Sequence, residues 1–181
     1  MRKLVFSICS VAVAAVLAGV AGAVEPSAGM LSVEGGKGVV VLELRSSVVL
    51  GLLGSGSIVV VDRTPRDRYV AIVTGRKLVQ QRLGPTRVLY RGQGLRYRML
   101  GGGYRIVIRG TGIAVSAVGR GVISLDGERR FPEDDAGVYS VDGVDCGVEP
   151  ETCTPLPDEP VRFRLGPPPD DGSARSTGDA R

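Results

Sequence analysis

Between residues 39 and 126 the apolar and polar positions follow the pattern of short strands broken by glycine. The clearest stretch runs in nine-residue blocks, 86–94, 95–103, 104–112 and 113–121, and 122–127 opens a fifth in the same phase. The last three complete blocks end in Gly-Gly-Gly, Gly-Thr-Gly and Gly-Arg-Gly. Inside them the alternation is explicit. Tyr104, Ile106 and Ile108 alternate with Arg105 and Arg109, and Leu95, Tyr97 and Met99 with Arg96 and Arg98. A period of two places the apolar side chains on one face of a sheet and the guanidiniums on the other. Breaks that contain glycine suit hairpins, where one residue adopts a left-handed conformation.

The earlier segments 39–44, 48–53 and 57–62 are nearly continuous in apolar residues, the pattern of strands covered on both faces. Residues 69–74 and 78–82 read as further strands, with a short helical turn as the alternative for the second, and Gly84-Pro85 as a turn. Residues 36–58 also resemble 101–123 at a shift of 65. Gly36, Gly38, Gly54 and Gly56 fall on Gly101, Gly103, Gly119 and Gly121, through either duplication or common glycine punctuation.

These patterns predict an all-β fold: an antiparallel meander of about 10–12 short strands curled into a small barrel or sandwich. A β-solenoid with the nine-residue period is the alternative. A calcium-binding roll is excluded, because Gly119-Arg120-Gly121-Val122-Ile123-Ser124 has no Asp after its glycines, and the period lapses between Pro65 and Gly84. Strands this short also fall below the ~9–11 residues that a membrane barrel needs. Around the 36–130 core lie a 24–35 linker, an acidic 131–166 segment and a polar 167–181 tail that reads as disordered. The acidic segment contains strand-like stretches at 138–141 and 161–165, the latter with Val161, Phe163 and Leu165 on its buried face.

The N-terminus changes the setting. Arg2 and Lys3 precede an uncharged apolar stretch over 4–20, and Ala21-Gly22-Ala23 supplies the small residues of a signal peptidase site. Residues 1–23 therefore read as a signal peptide cut between Ala23 and Val24, and the protein as secreted or extracytoplasmic. An uncleaved anchor over residues 4–24 is the alternative, and the only route by which a membrane would become a partner. Export turns Cys146 and Cys153, with six residues between them, into an expected disulfide.

Charge is uneven. Residues 24–130 carry 17 Lys/Arg against 7 Asp/Glu, and residues 131–181 carry 4 against 12. Arg87, Arg91, Arg96, Arg98, Arg105 and Arg109 fall on neighbouring predicted strands, where they would form a basic face able to attract an anionic polymer or cell-surface component. The competing readings are a charged face that keeps a half-exposed sheet soluble, and a basic stripe covered by the chain's own acidic segment.

Catalytic chemistry finds little support. With no His there is no Ser-His or Cys-His pair, and two cysteines without His do not make a zinc site. Asp134, Asp135, Asp142, Asp145, Glu149 and Glu151 match no EF-hand spacing. No glycine-rich loop opens a helix to hold a nucleotide. With 5 Tyr, 3 Phe and no Trp, nucleic acid is not an expected partner. No catalytic, cofactor or metal residue is assigned. The expectation is an exported, non-enzymatic binding or surface-interaction module of unknown ligand, with a polyanion on the Arg-rich sheet face as one candidate. A self-assembling structural component is the first alternative and a carboxylate-dependent hydrolase the second.

Overall fold

The computed structural model describes residues 29–129 and 135–166; the expected signal peptide with its Ala23–Val24 cut and the 167–181 tail lie outside them. The all-β, antiparallel expectation is met. Seven strands make one sheet: β1 (Met30–Asp62), β2 (Ile72–Arg82), β3 (Arg87–Leu100), β4 (Gly103–Gly127), β5 (Val138–Ser140), β6 (Thr154–Pro155) and β7 (Val161–Leu165). The order is β2-β3-β1-β4-β7, with β5 paired to β1 and β6 to β5. No helix among the described residues is long and apolar enough to cross a membrane.

Strand length and connectivity differ from the expected meander of 10–12 short strands. β1 spans 33 residues and β4 spans 25, so β4 runs straight through Gly110-Thr111-Gly112 and Gly119-Arg120-Gly121. These two breaks are bends inside a continuous strand and not hairpins, whereas Gly101-Gly102 falls between β3 and β4. β3 and β4 follow each other in sequence yet do not pair; both pair with β1. Residues 72–74 and 78–82 likewise fall in a single strand, β2, which turns into β3 around Gly84-Pro85, while 69–71 of the expected strand lie outside it.

The register shows what the bends accomplish. Ala117 of β4 has Leu31 on one side and Val49 on the other, and Ile106 has Leu42 and Val60. β1 therefore returns alongside itself, one β4 strand away, after the 18 residues that separate Leu31 from Val49. Eighteen extended residues would span about 60 Å, whereas two strand spacings are only about 10 Å. The strand must wind round. Two nine-residue limbs complete each turn, and the nine-residue pattern is the distance between corners. The outer edges of β2 and β7 stay open, so the sheet does not close into a barrel, and its antiparallel pairing is not that of a stacked parallel solenoid.

An odd limb length poses a problem for a side-chain period of two. Buried positions are even in one limb of β1 (Val40, Leu42, Leu44), odd in the next (Val49, Leu53) and even again (Ile58, Val60). Each corner must switch the inward side. At one corner glycine permits this: Gly127, Gly38, Gly110, Gly56 and Gly92 are successive cross-strand partners, a row across five neighbouring passes of β4, β1 and β3. At the other corner β1 switches at Ser46, φ 48°. Gly56 and Gly110 take φ of 147° and 148°, and a Cβ at either would lie on the backbone carbonyl of the facing strand. With the corners so made, the inward residues of both limbs join one core, including Leu31, Leu42, Leu53, Leu95, Ile106 and Ile113. Each such side chain contributes about 1.5–3 kcal/mol by leaving water. Tyr97 also points inward, and its hydroxyl donates to the Ala114 carbonyl at 3.1 Å. Gly51 leaves the space through which it reaches. Burial pushes that hydroxyl's pKa up.

Two burial expectations are corrected. The β1 residues Val48, Leu50 and Leu52 are 42–47% exposed, because only the inner face of their limb is covered. In β7, Leu165 is buried and Phe163 half-buried, but Val161 lies at the open end of the strand and is 38% exposed.

Cys146 and Cys153 form the expected disulfide. The buried Cys146 donates its backbone N–H to Ser32 Oγ at 2.9 Å, which ties the loop to the start of β1. That strand begins at Met30, inside the stretch read as a linker.

Two predictions follow from these constraints. Gly56→Ala or Gly110→Ala should lose at least about 2 kcal/mol in urea unfolding, since the new methyl meets both a disfavoured φ and a facing carbonyl. Gly35→Ala, at φ 64° with open space around it, should lose only about 1 kcal/mol. Equal losses would contradict the corner assignment. Removing the disulfide with Cys146→Ala and Cys153→Ala should cost about 2.5 kcal/mol in the chain-entropy model and leave the β circular-dichroism signal intact.

Candidate functional site

Cross-strand pairing places the outward residues of one limb in three rows. The first reads Arg91, Ser57, Arg109, Val39 and Asp126; the second Leu89, Val59, Val107, Val41 and Ser124; the third Arg87, Val61, Arg105, Glu43 and Val122. An aliphatic stripe, Leu89-Val59-Val107-Val41, thus runs across four passes of β3, β1 and β4 with two arginines on either side. Its members are half-buried or buried although they lie on the outer face, as expected where long Arg stems lie against aliphatic neighbours.

Arg91 and Arg109 stand about two strand spacings, roughly 10 Å, apart, with only the small Ser57 between them. Arg87 and Arg105 flank Val61 in the same way. Glu43 neutralises part of this face: its carboxylate takes Arg105 Nε at 3.3 Å and Arg63 Nη2 at 3.2 Å. Among the described residues Arg87, Arg91 and Arg109 have no ion-pair partner. The face therefore carries net positive charge, exposed to solvent, over an apolar floor.

Arg96 and Arg98 do not join it. The bend at Gly92-Gln93-Gly94 carries the chain into the other limb, where they pair with Leu52 and Leu50 of β1. The six arginines read as one basic face are divided four and two by a corner. A groove of about 410 Å³ crosses this second outer face, where Leu50 and Leu52 lie among Arg96, Glu34 and Asp145. Its charges are mixed, which makes it a poorer anion site than the first.

The acidic segment packs elsewhere. Leu156 N–H donates to the Gly137 carbonyl at 2.8 Å, and Gly127 N–H to that of Pro157 at 2.6 Å, so the segment lies along the end of β4 and the start of β1. Its one ion pair to the core among the described residues is Arg129 Nε with Asp158 Oδ1 at 2.9 Å. The carboxylates of Asp135 and Asp145 accept the N–H of Gly137 and Gly147 and shape turns. Among the described residues no group of three or more Asp, Glu, Cys or His gathers as metal ligands, and Asp134 lies outside them.

Ser57, Glu43 and the aliphatic stripe were not singled out from sequence. Their role depends on which strands are neighbours, and the only local signal was the alternation of valines with inward residues. Comparison of the chain with protein families, curated proteins and solved structures finds no match.

Proposed function

We propose that this chain is an exported, non-enzymatic β domain that binds an anionic polymer across the face bearing Arg87, Arg91, Arg105 and Arg109. The observation that carries the reading is the placement of Arg87, Arg91 and Arg109, without ion partners among the described residues, on either side of an aliphatic stripe. Guanidiniums about 10 Å apart on a rigid sheet suit a ligand with repeated charge, such as a sulfated or carboxylated polysaccharide, better than a single ion. Export rests on the signal-like residues 1–23, with which a Cys146–Cys153 disulfide is compatible.

A second reading, self-assembly, is favoured by a different observation. Val48, Leu50, Leu52, Leu100 and Val118 are exposed on the outer face of the other limb, where Val48 is paired with both Leu100 and Val118. A contiguous aliphatic patch of this kind is a recognised mark of an interaction surface.

On a heparin column the protein should elute at a salt concentration that falls when Arg91 and Arg109 are both changed to Ala. Its affinity at fixed salt should weaken about five- to thirtyfold, the scale of two exposed ionic contacts. Arg96→Ala with Arg98→Ala should have a much smaller effect; equal loss, or no retention of the unaltered protein, would rule the face out. For assembly, light scattering should show mass rising with concentration and a Leu50→Glu variant returning to monomer. A concentration-independent monomer eliminates that reading.

A further inference from the structure

Nine residues from the glycine row, the coil turns its opposite corner through Ser46, Gly101-Gly102 and Gly119. Here a separate cleft of about 660 Å³ opens, and four other arginines line it: Arg45, Arg63, Arg120 and Arg164. They come from three strands and a loop. Arg45 and Arg120 are direct cross-strand partners, and Arg164 is paired with Val122, two residues beyond Arg120. Arg63 follows the last residue of β1, its backbone N–H held by the Gly103 carbonyl at 2.8 Å. The single carboxylate in the lining among the described residues, Glu43, is taken by Arg63 and by Arg105 of the neighbouring face. Arg45, Arg120 and Arg164 are left without an ion partner among the described residues.

Charge alone does not make a site, but the lining contains a second feature. Tyr104 is 1% exposed, and its hydroxyl is buried without a hydrogen-bond partner among the described residues. A folded interior rarely leaves such a group unsatisfied, so each instance calls for an explanation. Burial, with the carboxylates of Asp62 and Asp67 nearby, pushes its pKa up to about 12. The hydroxyl therefore stays protonated at any working pH and is available as a donor.

We propose that this corner is a second, compact ligand site that takes a small organic oxyanion ester, a phosphate or sulfate monoester of roughly monosaccharide size. Guanidinium forks match the paired oxygens of such groups, and the Tyr104 hydroxyl adds a neutral donor. The volume lies in the range of small-molecule pockets and exceeds what a bare tetrahedral ion fills. Leu44, Val122 and Leu165 supply apolar wall for the carbon skeleton. The site is independent of the polymer face, because its unpaired arginines belong to the corner and not to the three outer rows.

Titration calorimetry on the purified protein tests this with glucose 6-phosphate, glucose 6-sulfate, glucose and inorganic phosphate. One or both esters should bind, each more tightly than inorganic phosphate, and glucose should not bind; whichever ester is tighter identifies the oxyanion. Arg45→Ala with Arg120→Ala should weaken ester binding about tenfold or more, the scale of one charge-assisted hydrogen bond. Tyr104→Phe should weaken it several-fold without lowering the melting temperature, because the hydroxyl holds nothing in the unliganded fold. Arg91→Ala with Arg109→Ala should leave ester binding unchanged while reducing heparin retention, so failure of either site is told apart from failure of the other. The proposal is overturned if neither ester binds, if glucose or inorganic phosphate binds as tightly as the esters, or if the Arg45 and Arg120 changes leave affinity unaltered.

Discussion

A strand that coils must change direction without turning its apolar side outward, and at one of the two corners of this protein that requirement falls on glycine. β1 and β4 wind past each other in nine-residue limbs, and nine is odd. Regular pleating would therefore expose in the second limb what it buries in the first. The row Gly127, Gly38, Gly110, Gly56, Gly92 resolves the conflict at one corner: Gly38, Gly56 and Gly110 adopt the positive φ that switches the inward side, and all five, without Cβ, let a neighbouring carbonyl approach. Without Gly56 of that row Leu53 and Ile58 could not belong to one core, whereas between Leu42 and Leu53 the switch is made at Ser46, φ 48°. With no Asn anywhere in the chain, glycine is also the residue type best suited to the task.

The same corners distribute the surface. Arg91 and Arg96 are five residues apart, close enough in sequence to suggest one patch. A corner between them sends Arg91 beside Ser57 and Arg96 beside Leu52, on different limbs. One limb acquires a basic face with an aliphatic stripe, and the other an aliphatic patch with mixed charge. Arginines far apart in sequence, Arg45, Arg120 and Arg164, are brought round one cleft by the opposite corner. Proximity in this fold is set by the pairing register and hardly at all by sequence separation.

Much of the fold was nevertheless legible in the sequence. The alternation of Tyr104, Ile106 and Ile108 with Arg105 and Arg109 gave strand, face and burial correctly, and the nine-residue period marked true structural units. What misled was the meaning of Gly-x-Gly. A hairpin and an in-strand bend both ask for positive φ and little side chain, so local chemistry cannot separate them. A non-local signal did exist. The spacing of 39, 48 and 57 in β1 repeats that of 95, 104 and 113, and Gly56 and Gly121, matched at the shift of 65, share φ of 147° and 155°. Two strands with equal corner spacing can pair corner to corner over their whole length, which a meander of independent hairpins does not require. The expectation that residues 48–53 are covered on both faces failed for a related reason. Continuous apolar sequence does not say whether a second layer exists, and among the described residues none covers Leu50 or Leu52.

The electrostatics also follow from the geometry. Each exposed Arg alternates with an inward apolar residue, so a solvated sheet face explains the presence of arginine, but not the scarcity of carboxylates facing it. Charges of both signs interspersed would keep a sheet soluble equally well. The chain instead keeps most of its carboxylates after residue 130, and the described part of that region, residues 135–166, packs along the start of β1 and the end of β4; Glu43 alone among the described residues serves Arg63 and Arg105 together. Glu43 stands where the basic face meets the corner cleft, in the outer row with Arg105 and in the lining with Arg45 and Arg120. Holding one arginine from each side, it limits repulsion between two cationic regions while leaving the others unpaired. Such segregation opposes the compact state through like-charge repulsion and is understandable when an external anion supplies the missing charge.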